Sequence, residues 1–235
     1  MVVSRSPAAT QAVEGQIRFG GVQLPLQDDI KILGVAIDRE LRYDQHLASV
    51  ARQTSQCVSA LRRVASNLDP QGILTLYKAQ IRPCMEYGAL TWMSSAVTHT
   101  RRLDAVQRRA LRLLGDDEEI ADSVKSLEHR RDVAALTVCH KTQVLHTPHL
   151  TRLYLPPHHA QRATRQAAAG RRVTVPRSHT SQHLRTYKAR AARLWNGFTE
   201  ATPGVADMSN HQAKVAANTW RGTLPTPFLS SSSCT

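Results

Sequence analysis

The chain has 235 residues, of which 41% are hydrophobic and only 5% aromatic, and it carries a formal net charge of +13. That length gives one domain of ordinary size or a smaller one with an extended tail, and a core built from Ala, Leu and Val favours helix over sheet. The basic excess says nothing about fold but points to polyanionic partners, while no run approaches the ~18 apolar residues of a membrane span and no signal-peptide core opens the chain.

The first elements alternate and turn. Ile17-Arg18-Phe19, Gly20-Gly21 and Val22-Gln23-Leu24 read as a β-hairpin closed by two glycines. A third strand is expected from Ile30 to Ile37, in the run KILGVAID. From Asp44 the period becomes helical, with Leu47, Val50, Ala51, Val58, Leu61, Val64 and Leu68 recurring at three and four. Asp69 is placed to cap a second helix, with Pro70 at its first position, where no N–H bond is lost. Ile73, Leu76, Tyr77 and Ile81 continue it. Pro83 is expected to kink or end it, because proline lacks the donor and crowds the preceding turn. A further helical piece from Cys84 to Met93 carries Tyr87 and Trp92, whose spacing suits core anchors rather than stacking platforms.

The segment Thr100 to Leu114 separates two kinds of residue. At about 100° per residue, Leu103, Val106, Ala110, Leu113 and Leu114 fall on one stripe. Arg101, Arg102, Arg108, Arg109 and Arg112 fall opposite, and Gly115 stops the helix. One face must pack; the other must meet water or phosphate. Arginine far outnumbers lysine in the chain, and its planar fork suits phosphate oxygens. Arg108 and Arg112 stand four apart with like charge, which costs helix stability unless a partner neutralises them. These five arginines are the candidate nucleic-acid contacts.

Asp116-Asp117-Glu118-Glu119 then reads as an acidic loop. Ser126 caps a helix running to about His146, with Leu127, Arg131, Ala134, Ala135 and Val138 on one side. Pro148, Pro156-Pro157 and His158-His159 break the pattern. Arg162 to Arg177 is basic, rich in turn residues and expected to be poorly ordered. A helix is expected from Leu184 to Phe198, with Ala191, Leu194, Trp195 and Phe198 inward, and another from Gln212 to Arg221. The tail SSSSCT is of low complexity.

Several blocks together resemble the region after the active site in jockey-like non-LTR (LINE) retrotransposon reverse transcriptases. They are KILGVAIDRELRYDQHLASV, LRRVASNLDPQGILTLYKAQIRPCMEYGALTW, LDAVQRRALRLLG, SLEHRRDVAAL and KARAARLWN. Each block is weak alone, and their order is what carries the likeness. The resemblance implies that Ile32, Leu33, Gly34 and Val35 form a primer-grip-like strand at the palm–thumb border, and that the helices after it form a thumb along the template–primer. The implied fold is mainly α with a small N-terminal β element: a palm-edge remnant over residues 1–40, a helical thumb-like domain over 41–115, and a helical, partly disordered basic extension over 116–235. The partners implied are RNA, DNA or an RNA–DNA hybrid, and the palm and fingers of the parent polymerase. No catalytic residue is expected. The Mg²⁺-holding aspartates of the family lie upstream of the LGV strand, so Mg²⁺ is expected only for the intact polymerase.

Competing chemistries are weaker. Asp28-Asp29 resembles a catalytic pair, but neighbours on a strand face opposite ways, and a solvated strand start accounts for them. The acidic loop could attract a hard cation, although such runs are usually solvated. Cys139, His146 and His149, with His158-His159 nearby, lack a second cysteine at zinc spacing. Cys57, Cys84, Cys139 and Cys234 form no C-x-x-C pair, which suits a reducing compartment. The expectation is a soluble, intracellular protein, in nucleus or cytoplasm. The alternatives are a helical protein-interaction module without enzymatic activity, or a retrotransposon relic without function.

Overall fold

The structure, a computed structural model, describes residues 1–4, 6–115, 120, 123–158 and 172–225. The acidic loop Asp116 to Glu119, His159, the basic stretch from Arg162 to Arg171 and the serine-rich tail with Cys234 lie outside the described residues. The fold is mainly α with a small N-terminal β element. It divides into two compact units, residues 1–88 with 94–121 and residues 89–93 with 122–235. Among the described residues no helix is long and apolar enough to cross a membrane.

In the first unit a short helix α1 (Pro7–Gln11) precedes the expected hairpin of β1 (Arg18–Phe19) and β2 (Val22–Gln23). Arg18 pairs with Gln23 and Phe19 with Val22, around Gly20 and Gly21 at φ 56° and 81°. The run expected as one strand, Ile30 to Ile37, is instead a second hairpin of β3 (Asp29–Ile32) and β4 (Val35–Asp38). Its two-residue turn is Leu33-Gly34, with φ 46° and 85°. Two consecutive left-handed residues match the strand twist, and glycine takes the second at no steric cost.

The Asp38 carboxylate then organises the exit from β4. It accepts from the N–H groups of Glu40 (3.0 Å), Arg42 (3.0 Å) and Tyr43 (2.6 Å). That turn delivers the chain to the long helix α2 (Asp44–Val64), which closes in a 3-10 turn, Ala65–Asn67. Asp69 caps α3 (Pro70–Leu76) as its sequence suggests, accepting from the Gly72 N–H at 2.7 Å. Pro83 does not end this stretch. A wide π turn, Tyr77–Ile81, precedes α4 (Arg82–Glu86) and lets the helix pass the proline without a break. Helix α6 (Val97–Leu111) packs along α2, burying Leu103, Val106 and Ala110, and ends in the 3-10 turn Arg112–Leu114 before Gly115 at φ 69°.

The second unit contains α5 (Ala89–Trp92), α7 (Leu127–Gln143), α8 (Ser181–Arg185), α9 (Tyr187–Ala201) and α10 (Asn210–Gly222). Ser126 caps α7 through the His129 N–H, and Ser209 with Gln212 forms a capping box on α10. The core gathers Leu136, Cys139, Ala191, Leu194, Trp195 and Phe198. The apolar side expected for α7 is only partly right. Ala134 is exposed, whereas His129, Asp132 and His140 are buried. Periodicity of apolar residues misses this face because His129 and Asp132 find partners inside. Trp92 is buried, as expected of a core anchor, with the Arg131 guanidinium 5.5 Å from its ring centre.

Candidate nucleic-acid interface

Helix α6 sorts its residues by face. Thr100, Leu103, Val106, Gln107 and Ala110 are buried, and Arg101, Arg102, Arg108, Arg109 and Arg112 are all exposed. Burial of a side chain such as Leu103 stabilises by about 1.5–3 kcal/mol, so the apolar stripe fixes the rotation of the helix and thereby the direction of the cations. None of the ion pairs formed among the described residues involves these five.

Arg109 Nη2 donates to Ser55 Oγ of α2 at 2.7 Å, so the cationic face reaches the neighbouring helix. There, exposed Arg52 and Arg62 lie within about 60° of Ser55 around the helix axis. Both were missed in the sequence. Their spacing around Ser55 was the available signal, but only the packing of α6 on α2 gives it meaning.

Ile32 to Val35, expected as a primer-grip-like strand, sit on the second hairpin. Val35 is buried, whereas Leu33 at the tip is 85% exposed and Ile32 is also exposed. The hairpin is fastened to the end of α4. Tyr87 Oη donates to the Leu33 carbonyl at 2.6 Å, and its ring lies 3.4 Å from where a Cβ on Gly34 would be. A Cβ on Gly88 would come within 2.8 Å of Val35 Cγ2, so the backbone approaches here only as glycine. Tyr87, expected in the core, is therefore a correction: it is 57% exposed and serves as the strut of the hairpin. Tyr77 and Trp195 are core residues, as expected. His46 ties β4 to α2, its Nδ1 accepting from the Ala36 N–H at 3.4 Å. Burial, aided by Lys31, lowers its pKa.

Metal chemistry finds no frame in the described residues. The Asp28 side chain is 91% exposed and faces Arg39 at 3.5 Å, Asp29 opens β3, and Asp38 spends its oxygens on backbone N–H groups. Two bridging metal ions need shared carboxylates, which these residues do not offer. Cys139 is buried against the Tyr187 hydroxyl (3.7 Å), and burial pushes its thiol up to about 12, while His146 and His149 are exposed. Among the described residues no three His, Cys, Asp or Glu side chains are grouped to hold a metal ion.

No protein-family profile matches the chain, and no solved structure matches it. Three Drosophila melanogaster proteins are similar over part of it. The 115 kDa protein named for the type-1 retrotransposable element R1DM is 33% identical over 40% of this chain and 10% of its own length. The probable RNA-directed DNA polymerase from transposon X-element is 28% identical over 50% of this chain and 13% of its own length. That from transposon BS is 27% identical over 44% and 12%. The matched stretch thus spans about a tenth of the length of these relatives. Over part of its length the chain is thus similar to Drosophila retrotransposon proteins, two of them named as probable RNA-directed DNA polymerases.

Proposed function

We propose that this chain is a post-active-site piece derived from a reverse transcriptase, and that it holds RNA, DNA or an RNA–DNA hybrid by the backbone without catalysing a reaction itself. The observation that carries this reading is the α6 face: Arg101, Arg102, Arg108, Arg109 and Arg112 all point outward, in a strongly basic chain, from a helix whose opposite side is firmly packed. Phosphate contacts of this kind give affinity and register but read no sequence. Mg²⁺ belongs, on this reading, to the intact polymerase.

Binding to a hybrid duplex should weaken steeply with salt, with a log–log slope of about −4 to −5 if five arginines each release a counterion. Replacing Arg108 and Arg109 with Ala should flatten that slope by about 2 and weaken all sequences alike. A filter-binding series over salt measures both. A flat response, or no binding at low salt, rejects the proposal. Primer extension by the purified chain with Mg²⁺ tests the catalytic half, and any incorporation of nucleotide overturns it.

A second contact has its own observation. Phe19 (79% exposed), Val22 (68%) and Leu33 leave apolar surface on both hairpins. This favours their resting against the palm and fingers of the parent polymerase, in keeping with a primer-grip-like role for Ile32 to Val35.

A further inference from the structure

The second unit carries a cleft that the α6 reading does not use, and we propose that it takes one unstacked nucleotide of a single strand. The cleft measures about 290 Å³. It opens where α7 ends, with Val144, Val173 and Trp195 as apolar walls and His146, Tyr154 and Arg172 as its polar lining.

Two features separate it from an ordinary surface dimple. The first is His146, whose φ is +46°. The Leu145 N–H returns to the His140 carbonyl (3.2 Å) and the Thr147 N–H to that of Lys141 (3.0 Å), so the chain must take a left-handed step at the helix end. Glycine or asparagine normally fills such a step. Histidine is one of the few side chains that tolerate this step, and taking it sets His146 on the lining of the cleft.

The second feature is the order of chemistries. Tyr154 offers a half-open aromatic surface, 40% exposed, and Arg172 supplies an exposed cation whose present partner is the solvent-washed Glu200 at 3.3 Å. A phosphate can displace a surface pair of that kind, because such pairs contribute little. Aromatic face, ring N–H and guanidinium together match a base and its phosphate. The volume lies at the small end of ligand clefts, roughly 300–1,000 Å³, which suits one nucleotide. A base inside a duplex is stacked on both sides and cannot enter. The identity of the ligand rests on the nucleic-acid reading above; the cleft itself is independent of α6.

The test is fluorescence anisotropy on the full chain with two probes, a short labelled oligouridylate and an RNA–DNA hybrid. Tyr154→Leu should cut oligouridylate affinity about tenfold, the effect of losing one base–aromatic stack, and leave the hybrid unaffected. His146→Gly should lower oligouridylate affinity while raising Tm, since glycine relieves the left-handed step. A raised Tm with unchanged affinity would mean a purely structural histidine. That result together with an unaltered Tyr154→Leu, or an equal loss on both probes, overturns the proposal. If the wild-type chain binds hybrid but not oligouridylate, the cleft fails alone. If it binds oligouridylate through Tyr154 but ignores the hybrid, the α6 reading fails and the cleft stands.

Discussion

The two units put arginine to opposite uses. On α6 and the 3-10 turn that closes it five guanidiniums are exposed, and none is paired to a carboxylate among the described residues. In the second unit Arg190 and Arg221 are buried and converge on Asp132, itself 0% exposed. Arg190 Nε donates to Asp132 Oδ1 at 2.5 Å and its Nη2 to Glu128 at 2.6 Å, while Arg221 Nε donates to Asp132 Oδ2 at 2.7 Å. Burial works against the charge of Arg190, but Asp132 and Glu128 outweigh it and raise its pKa. The lesson is that net charge does not locate a binding surface. Guanidiniums whose charge is met by a carboxylate knit α7, α9 and α10 together, and those with none among the described residues are the ones on which the proposed phosphate contact rests.

The sharpest way to break this contrast is Asp132→Ala. It takes from buried Arg221 the carboxylate it is paired with and leaves buried Arg190 with Glu128 alone, and should destabilise the unit by about 3–5 kcal/mol in a urea or guanidinium titration. A loss near zero would mean the pairs are solvated and the contrast false. An effect of intermediate size comes from acid. Burial lowers the pKa of His129, and of His140, where backbone groups of Val205 and Met208 oppose the shift. A lowered folded value means that the unfolded chain takes up the protons first as pH falls. Stability is therefore full above the unfolded value of about 6.5 and declines as the pH drops below it, levelling off only under the folded values. Melting curves across that range measure this, and a Tm that rises on acidification contradicts it. The smallest effect belongs to α6: Arg112→Ala should leave Tm unchanged or raise it slightly, since removing a like charge four residues from Arg108 relieves about 0.2–0.5 kcal/mol. A clear loss of stability would show Arg112 to be structural and would sharpen the division between the two uses.

How far the residues alone could be read follows the same physics. The stripe of α6, the Asp69 cap, the glycine turn of the first hairpin and the inward face of α9 rest on local rules and appear where those rules put them. The second hairpin was hidden because Leu33-Gly34 is a poor advertisement for a turn. Gly34 in the middle of an apolar run was the one clue, and the Tyr87 hydroxyl that holds the turn comes from 54 residues away. The buried side of α7 was hidden because His129 and Asp132 look like surface residues until Asn218 and Arg221, on a helix far along the chain, supply their partners. The cleft, and the place of Arg52 and Arg62 beside the cationic face, depend on such distant pairings, which spacing along one helix does not encode.

The wide turn before Pro83 also sets the phase of α4. Tyr77, Ile81 and Met85 are all buried, although steps of four in a regular helix drift by about 80° over eight residues. The π turn takes up that drift like a vernier and keeps the three in line. Gaining or losing one residue between Tyr77 and Met85 would rotate one end by roughly 100° relative to the other. This stretch can therefore accept exchanges of side chain more readily than any change of length.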